Sequence, residues 1–213
     1  MMLRQLLPGM PVPAIAIQGI CEDSRRIKSG DLFCAVAGEL TDGRDYIEVA
    51  VARGAAAVLG EAPLPEMSNP LVPMIAVEGL SSRLSEIAGR FYGHPSEALS
   101  VFAVTGTNGK TSFTQFLAQA LSSANVKCGM IGTMGSGVPG ALIEPGLTTP
   151  AAIDVQRKLR ELVDCGCESV VLEASSHGLV QGRLKNVGVG TAVLTNITHD
   201  HLDYHGTFES YRK

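Results

Sequence analysis

The sequence predicts an α/β protein in two parts: a small N-terminal α/β domain over residues 1–97, then a P-loop-type, mostly parallel α/β domain over residues 98–213. Three observations carry this. Short apolar runs at 31–36, 55–59, 74–77, 101–105, 126–131, 169–173 and 190–196 alternate with stretches whose apolar residues recur at helical spacing. A helix stop at Gly93-His94-Pro95, followed by a linker-like stretch at 96–100, divides the chain. The run over 101–112 carries an apolar strand straight into a glycine-bearing turn and then a Lys-Thr pair.

That last stretch reads as a phosphate-binding loop. Gly106 and Gly109 let backbone approach an anion closely, and the helix that follows directs unpaired N–H groups and a partial positive charge at the turn. Lys110 reaches outer phosphates in such loops, and Thr111 a bound magnesium. The chain departs from G-x-x-x-x-G-K-[ST] in having Val104 where that pattern begins with glycine. An ordinary strand-to-helix turn with a solvated lysine is the alternative. Phe113, Phe116, Leu117, Ala120 and Leu121 mark the helix face expected to pack on the sheet.

The 213 residues are enough for two small cores, and 45% hydrophobic against 18% charged residues excludes a disordered chain. No run approaches membrane-spanning length, and Pro8, Pro11 and Pro13 break the N-terminal apolar patch, so a cytoplasmic protein without membrane insertion is expected. Five cysteines, an odd number in mostly apolar contexts, suit reduced thiols, and Cys165-Gly-Cys167 reads as structural rather than metal-binding. A net charge of -4 without a Lys/Arg cluster argues against a nucleic-acid surface. It does not forbid a nucleotide, because screening beyond about 8 Å leaves anion binding to local charges.

Along the N-terminal part, residues 1 to about 20 read as loop, ending in the polar cluster Cys21-Glu-Asp-Ser-Arg-Arg26. Tyr46, Ile47, Ala50 and Val51 mark one helix face, and Leu80, Leu84, Ile87, Ala88 and Phe91 another. In the second part the Gly- and Pro-rich connection over 132–147 is expected to be a hairpin or a functional loop. It ends in Leu147-Thr-Thr-Pro150, where Thr149 suits an N-cap and Pro150 the first helical position. Strands 169–173 and 190–196 each end in polar residues. Ligands of open α/β sheets collect at strand carboxyl ends, so Glu173-Ala-Ser-Ser-His177 and Asn196-Ile-Thr-His-Asp-His201 should face the Lys110 loop. A carboxylate, hydroxyls and imidazoles beside a nucleotide suit magnesium and phosphate chemistry.

Four of five histidines fall between His177 and His205. His199-Asp-His-Leu-Asp-Tyr-His205 comes within one residue of the H-x-H-x-D-H pattern of metallo-β-lactamase-like zinc hydrolases, but Tyr204 intervenes and the phosphate loop is left unexplained. Solvated or hydrogen-bonded imidazoles are the expectation for His199 and His205.

Taken together, Thr105-Gly-Thr-Asn-Gly-Lys-Thr111, Thr148-Thr149-Pro150, Glu173-Ala-Ser-Ser-His-Gly-Leu179 and Asn196-Ile-Thr-His-Asp-His-Leu-Asp203 resemble the Mur ligases, ATP-dependent enzymes of peptidoglycan precursor synthesis. Asp23-Ser24-Arg25, Gly30-Asp-Leu-Phe33, Asp42-Gly-Arg44 and the run from Ser175 to Arg183 resemble the branch of that family that adds a diamino acid to UDP-N-acetylmuramoyl-L-alanyl-D-glutamate. Folylpolyglutamate synthetase has a similar loop but would lack this N-terminal domain.

The resemblance implies a uridine-nucleotide-binding N-terminal domain and an incomplete ATPase domain. It implies that Gly106, Thr107, Asn108, Gly109, Lys110, Thr111 and Ser112 hold ATP, and that Thr111, Glu173 and His201 hold Mg2+, with Lys110, Glu173 and His201 acting in catalysis. Ser24, Glu39, Leu40 and Thr41 would contact the uridine end of the substrate, while Thr148, Thr149, Ser175, Gln181 and Arg183 would grip its muramoyl-dipeptide portion. It further implies an acyl-phosphate route, a monomer, and meso-diaminopimelate rather than L-lysine as the added amine. The family's carbamoylated lysine would lie beyond residue 213, so the sequence reads as a fragment. A binding module that holds the UDP-substrate without forming the amide is the alternative for the piece itself.

Overall fold

The computed structural model describes residues 1–38, 41–65, 70–143 and 146–212. The chain forms two compact units, Met1–Phe91 and Tyr92–Lys213. The first contains α1 (Leu3–Leu6), β1 (Gly19–Cys21), β2 (Asp31–Ala35), α2 (Ile47–Ala52), β3 (Ala57–Glu61), β4 (Met74–Val77) and α3 (Leu80–Phe91). Its four strands lie side by side in chain order, all parallel. Parallel strands covered on both faces read as continuous apolar runs, and every residue of β2 is buried, with Phe33 at its centre.

The N-terminal segment corrects the loop expectation for residues 1–20. Leu3 and Leu6 of α1 and Leu7 just after it are fully buried, and α1 packs on α3. The Met1 amino group and the Leu3 amide donate to Ile17 O and Ile15 O at 2.9 and 2.8 Å. A four-residue helix is too short for a periodic signal, and its place is set by a partner strand-like segment beyond the prolines.

The second unit contains β5 (Ser100–Thr105), α4 (Lys110–Ser123), β6 (Cys128–Gly132), β7 (Gly135–Val138), β8 (Ala141–Ile143), α5 (Ala152–Asp164), β9 (Ser169–Glu173), α6 (Ser176–Val180), β10 (Thr191–Leu194), α7 (Leu202–His205) and α8 (Phe208–Tyr211). The sheet order is β10-β5-β9-β6-β7-β8, parallel through β6 and antiparallel across the last two strands. The Gly-rich connection is thus a hairpin on the sheet edge. Alternation along β5 sends Val101 and Ala103 toward Val155, Leu159 and Leu162 of α5, while Val104 joins Ala118 of α4 on the other face.

Two further expectations change. Residues 96–100 are not a linker: Pro95–Ala98 form a 3-10 turn packed on α5, and Ser96 Oγ accepts from Gly188 N at 3.0 Å. On α4, Phe113 and Phe116 do not face the sheet and are 37% and 69% exposed. The buried positions are Thr114 and Ala118, with Leu117 and Leu121 partly covered. Small side chains on that face let the helix approach the strands, a choice that a list of large apolar residues misses.

Thr114 is fully buried and its hydroxyl has no hydrogen-bond partner among the described residues. An unmade buried hydrogen bond costs about 1–3 kcal/mol. Thr114→Val, which keeps the shape and removes the hydroxyl, should raise unfolding stability by about 1 kcal/mol in urea titration; a loss of stability would mean the hydroxyl has a partner.

Candidate nucleotide and substrate site

The loop after β5 lies where later strands have been laid on opposite sides of β5, between the carboxyl ends of β9 on one side and β10 on the other. Val104 pairs with Glu173, and Thr105 with Leu194, so both polar strand ends converge on the loop. Gly106 has φ +132°, and a Cβ there would lie 2.2 Å from Thr195 Oγ1 and 2.8 Å from Asn196 O. Gly109 caps α4 at φ +85°.

The segment after β10 clamps the loop. Thr195 Oγ1 and Asn196 Nδ2 donate to Asn108 O at 2.7 and 2.9 Å, and Asn108 N donates to Asn196 Oδ1 at 3.2 Å. Thr107 Oγ1 accepts from Thr198 N at 2.9 Å and pairs with the Tyr211 hydroxyl at 2.8 Å. Lys110 folds back on the loop, its ammonium donating to Gly106 O at 2.6 Å and Thr107 O at 3.0 Å. Engaging a phosphate requires exchanging those carbonyls for phosphate oxygens. Ser112 is exposed in the first turn of α4.

Glu173 is only 2% exposed. It lies on the same strand parity as Val171, which faces α4, and this brings it to the first turn of that helix. Its Oε2 accepts from Thr111 Oγ1 at 2.9 Å and from Thr133 Oγ1 at 3.0 Å, and its Oε1 from Thr133 N at 3.0 Å. Among the described residues its partners are hydroxyls and one amide, not a cation. A buried carboxylate with spare acceptor capacity next to a phosphate loop is a donor set suited to a hard divalent ion. Thr133 was not visible in the sequence as a site residue. Its only signal was its place at a strand end.

The substrate-side residues expected from the sequence form one connected network. Thr148 Oγ1 lies 3.0 Å from Thr133 Oγ1. Thr149, buried, donates to Glu173 O at 2.7 Å, accepts from Ser175 N at 2.8 Å, and lies 2.9 Å from Ser175 Oγ. Thr149 is therefore not the N-cap of α5, whose helical residues begin after Pro150 with Ala151 as cap. Its hydroxyl is used instead to tie β9 to the following turn. Ser175 Oγ caps α6 by accepting from Gly178 N. Arg183 Nη1 donates to Thr149 O at 2.6 Å and Nε to Gln181 Oε1 at 2.8 Å. Gln181 Nε2 in turn donates to the Tyr204 hydroxyl at 3.2 Å.

His201 takes no part in the hydrogen bonds of Glu173. Its ring lies 4.9 Å from that of His177 and 6.5 Å from that of Tyr211. His199 stacks on Phe208 at 4.3 Å, and His205 sits between His177 and Tyr211 at 5.7 and 5.2 Å. His205 is partly buried, and among the described residues its Nε2 has no hydrogen-bond partner, so that nitrogen departs from the expectation of a solvated or hydrogen-bonded imidazole. Among the described residues no group of three or more His, Cys, Asp or Glu side chains is placed to hold a metal, so the zinc-hydrolase pattern does not converge into a centre.

In the first unit, Ser24 and Thr41 line a cavity of about 620 Å³ with Asp23, Arg25, Phe33 and Tyr46. Two aspartates start the 3-10 turns that wall it: Asp23 accepts from Arg25 N and Asp42 from Arg44 N, both at 2.9 Å. The Arg25 side-chain bond holds the Asp23 carboxyl below its ordinary range, and that of Arg44 does the same for Asp42. Glu39 and Leu40, also expected here, lie outside the described residues.

Gly106→Ala places a methyl group against Thr195 and Asn196 in a backbone region that costs about 1–3 kcal/mol for a side-chain-bearing residue. Nucleotide affinity measured by calorimetry should fall about tenfold or more, while the melting temperature of the first unit stays unchanged.

A family model described as "Mur ligase family, catalytic domain" matches residues 16–92, and one described as "Mur ligase middle domain" matches 104–213. A protein of Ectopseudomonas mendocina (strain ymp) named UDP-N-acetylmuramoyl-L-alanyl-D-glutamate--2,6-diaminopimelate ligase is 50% identical over 215 residues, covering 99% of this chain and 43% of that protein. The protein of that name from Pseudomonas aeruginosa is 48% identical over 212 residues, with the same two coverages. A solved structure of a ligase of that name superposes with a TM-score of 0.81 at 31% identity, over 99% of this chain and 43% of that one. The MurF ligase from Thermotoga maritima in complex with ADP shares the fold, with a TM-score of 0.62 at 24% identity over 94% of this chain and 42% of that one. The chain spans about 43% of the length of these diaminopimelate ligases. With one family model on each compact unit and about half the residues shared with relatives along almost its whole length, the chain belongs to the Mur ligase family.

Proposed function

We propose that this chain is the UDP-substrate-binding and ATP-binding part of a ligase that adds meso-diaminopimelate to UDP-N-acetylmuramoyl-L-alanyl-D-glutamate. The observation that carries it is the 2.9 Å bond between Thr111 and Glu173, which sets a buried carboxylate beside the loop that would seat a triphosphate. The names of its relatives support the substrate, and the cavity beside Ser24 and Thr41 supports a separate seat for the uridine end. A cytoplasmic monomer fits this reading. Among the described residues no helix is long and apolar enough to cross a membrane.

The reaction joins two anions, so charge is its main obstacle. Residues 106–112 seat the triphosphate on the N-terminus of α4, where backbone N–H groups and the helix dipole favour negative charge. Lys110 leaves the Gly106 and Thr107 carbonyls and moves to the β- and γ-phosphates. Thr111 and Glu173 would hold Mg2+, with His201 as the further ligand the family implies; the ion supplies charge neutralisation of the phosphate oxygens. Thr148, Thr149, Ser175, Gln181 and Arg183 hold the muramoyl dipeptide, Arg183 by paired donors to an anionic group. The D-glutamate carboxylate attacks the γ-phosphorus, the bond to the β-phosphate oxygen breaks, and acyl phosphate and ADP form. The amine of the diamino acid then attacks the acyl carbon, losing a proton and expelling phosphate, which leaves the amide.

The full-length protein incubated with ATP, Mg2+, UDP-N-acetylmuramoyl-L-alanyl-D-glutamate and either diamino acid should give tripeptide product and ADP with meso-diaminopimelate. Product with L-lysine alone would overturn the amine assignment, and turnover without ATP the ligase reading. Lys110→Ala should weaken ATP binding by about 2–5 kcal/mol, the range for truncating one partner of a charged pair, and leave affinity for the UDP-substrate in the first unit unchanged. Equal loss of both would contradict this division of labour.

A further inference from the structure

Thr133 follows the buried end of β6 and bonds Glu173 through both its amide and its hydroxyl. The geometry points to Thr133 as a positioning residue that aims the Glu173 carboxylate at the phosphate loop and links it to the substrate-side Thr148. This rests on the ATP-and-magnesium reading above.

Three observations support it. First, an ionised carboxylate offers about four acceptor sites. Thr111 and Thr133 hydroxyls both lie on Oε2, and only the Thr133 amide lies on Oε1, so the capacity left for a cation is on Oε1. Thr133 supplies two of the three donors and touches both oxygens, which fixes the carboxylate against rotation. Second, the neighbouring backbone is shaped around that carboxylate: a Cβ on Gly132 would stand 2.3 Å from Glu173 Oε1. With Glu173 2% exposed, protein donors rather than water set its orientation. Third, the proton order is determined. A carboxylate only accepts, so the single Thr133 hydroxyl proton goes to Glu173, and across the 3.0 Å Thr133–Thr148 contact Thr148 must donate. A Thr148 that turns its proton toward a bound substrate thus gives up its bond to the residue that steers Glu173.

Residues that orient a metal ligand change metal affinity by about 10- to 100-fold when removed. The test uses the full-length protein and titrates Mg2+ into ATP binding, with ATP affinity in EDTA measured beside it. Thr133→Val should raise the Mg2+ concentration for half-maximal enhancement by about tenfold or more, leaving the EDTA affinity and the melting temperature of the protein at wild-type values. Thr133→Ser, which keeps both donors, should restore the wild-type midpoint. An unchanged midpoint in Thr133→Val overturns the positioning role and leaves the ligase reading standing. So does a parallel fall of EDTA and Mg2+ affinities that serine does not rescue, because that is a general structural loss. ATP binding by the wild-type protein that is indifferent to Mg2+ overturns the positioning role together with the magnesium assignment beneath it.

Discussion

The close approach of the loop after β5 to the end of β10 is the constraint on which the candidate nucleotide site depends. Gly106 sits where any side chain would strike Thr195 and Asn196, and this closeness lets those two residues hold the Asn108 carbonyl from both hydroxyl and amide donors. The loop's carbonyl oxygens at Gly106, Thr107 and Asn108 are all engaged by protein donors. The Asn108 carbonyl stays held by Thr195 and Asn196 when Lys110 turns to a phosphate, and the loop opens onto a helix N-terminus whose field favours an anion.

The second organising relation is between β9 and α4. Alternation puts Val170 and Leu172 on the α5 side and Val171 on the α4 side, and Glu173 continues that second parity past the point where the core ends. The small buried side chains of α4, Thr114 and Ala118, allow the helix to lie near enough for Thr111 to meet Glu173. Packing and chemistry therefore share one set of positions. The core spacing sets how far the phosphate-loop hydroxyl lies from the carboxylate.

Each compact unit carries its own candidate binding surface. In the first, two Asp-capped turns with an Arg two residues on wall a cavity of about 620 Å³ that Phe33 also lines. In the second, hydroxyls dominate: Thr111, Thr133, Thr148, Thr149 and Ser175 join loop, hairpin base and strand end into one network. Hydroxyls both donate and accept, so such a network adapts to ligand oxygens without carrying charge of its own.

Local chemistry made the longer apolar strands, the Lys110 loop and the polar strand ends legible from the residues alone, though not the short β1, because an apolar run, a glycine before Lys-Thr and a carboxylate after four apolar residues are each complete within a few positions. The family resemblance added the grouping of Thr148, Thr149, Ser175, Gln181 and Arg183, which the hydrogen bonds bring together. Hidden from the sequence were the buried α1, the packed turn over 95–98, the true inner face of α4, and Thr133. What the sequence by itself determined was which segments could be strand, loop or helix and which residues could bind phosphate. Only the tertiary structure decided that β9 lies between β5 and β6 and that β10 lies on the far side of β5, since strand order follows from long-range pairing of backbones far apart in the chain. That order is what sets Glu173 beside Thr111 and lets Asn196 clamp the loop.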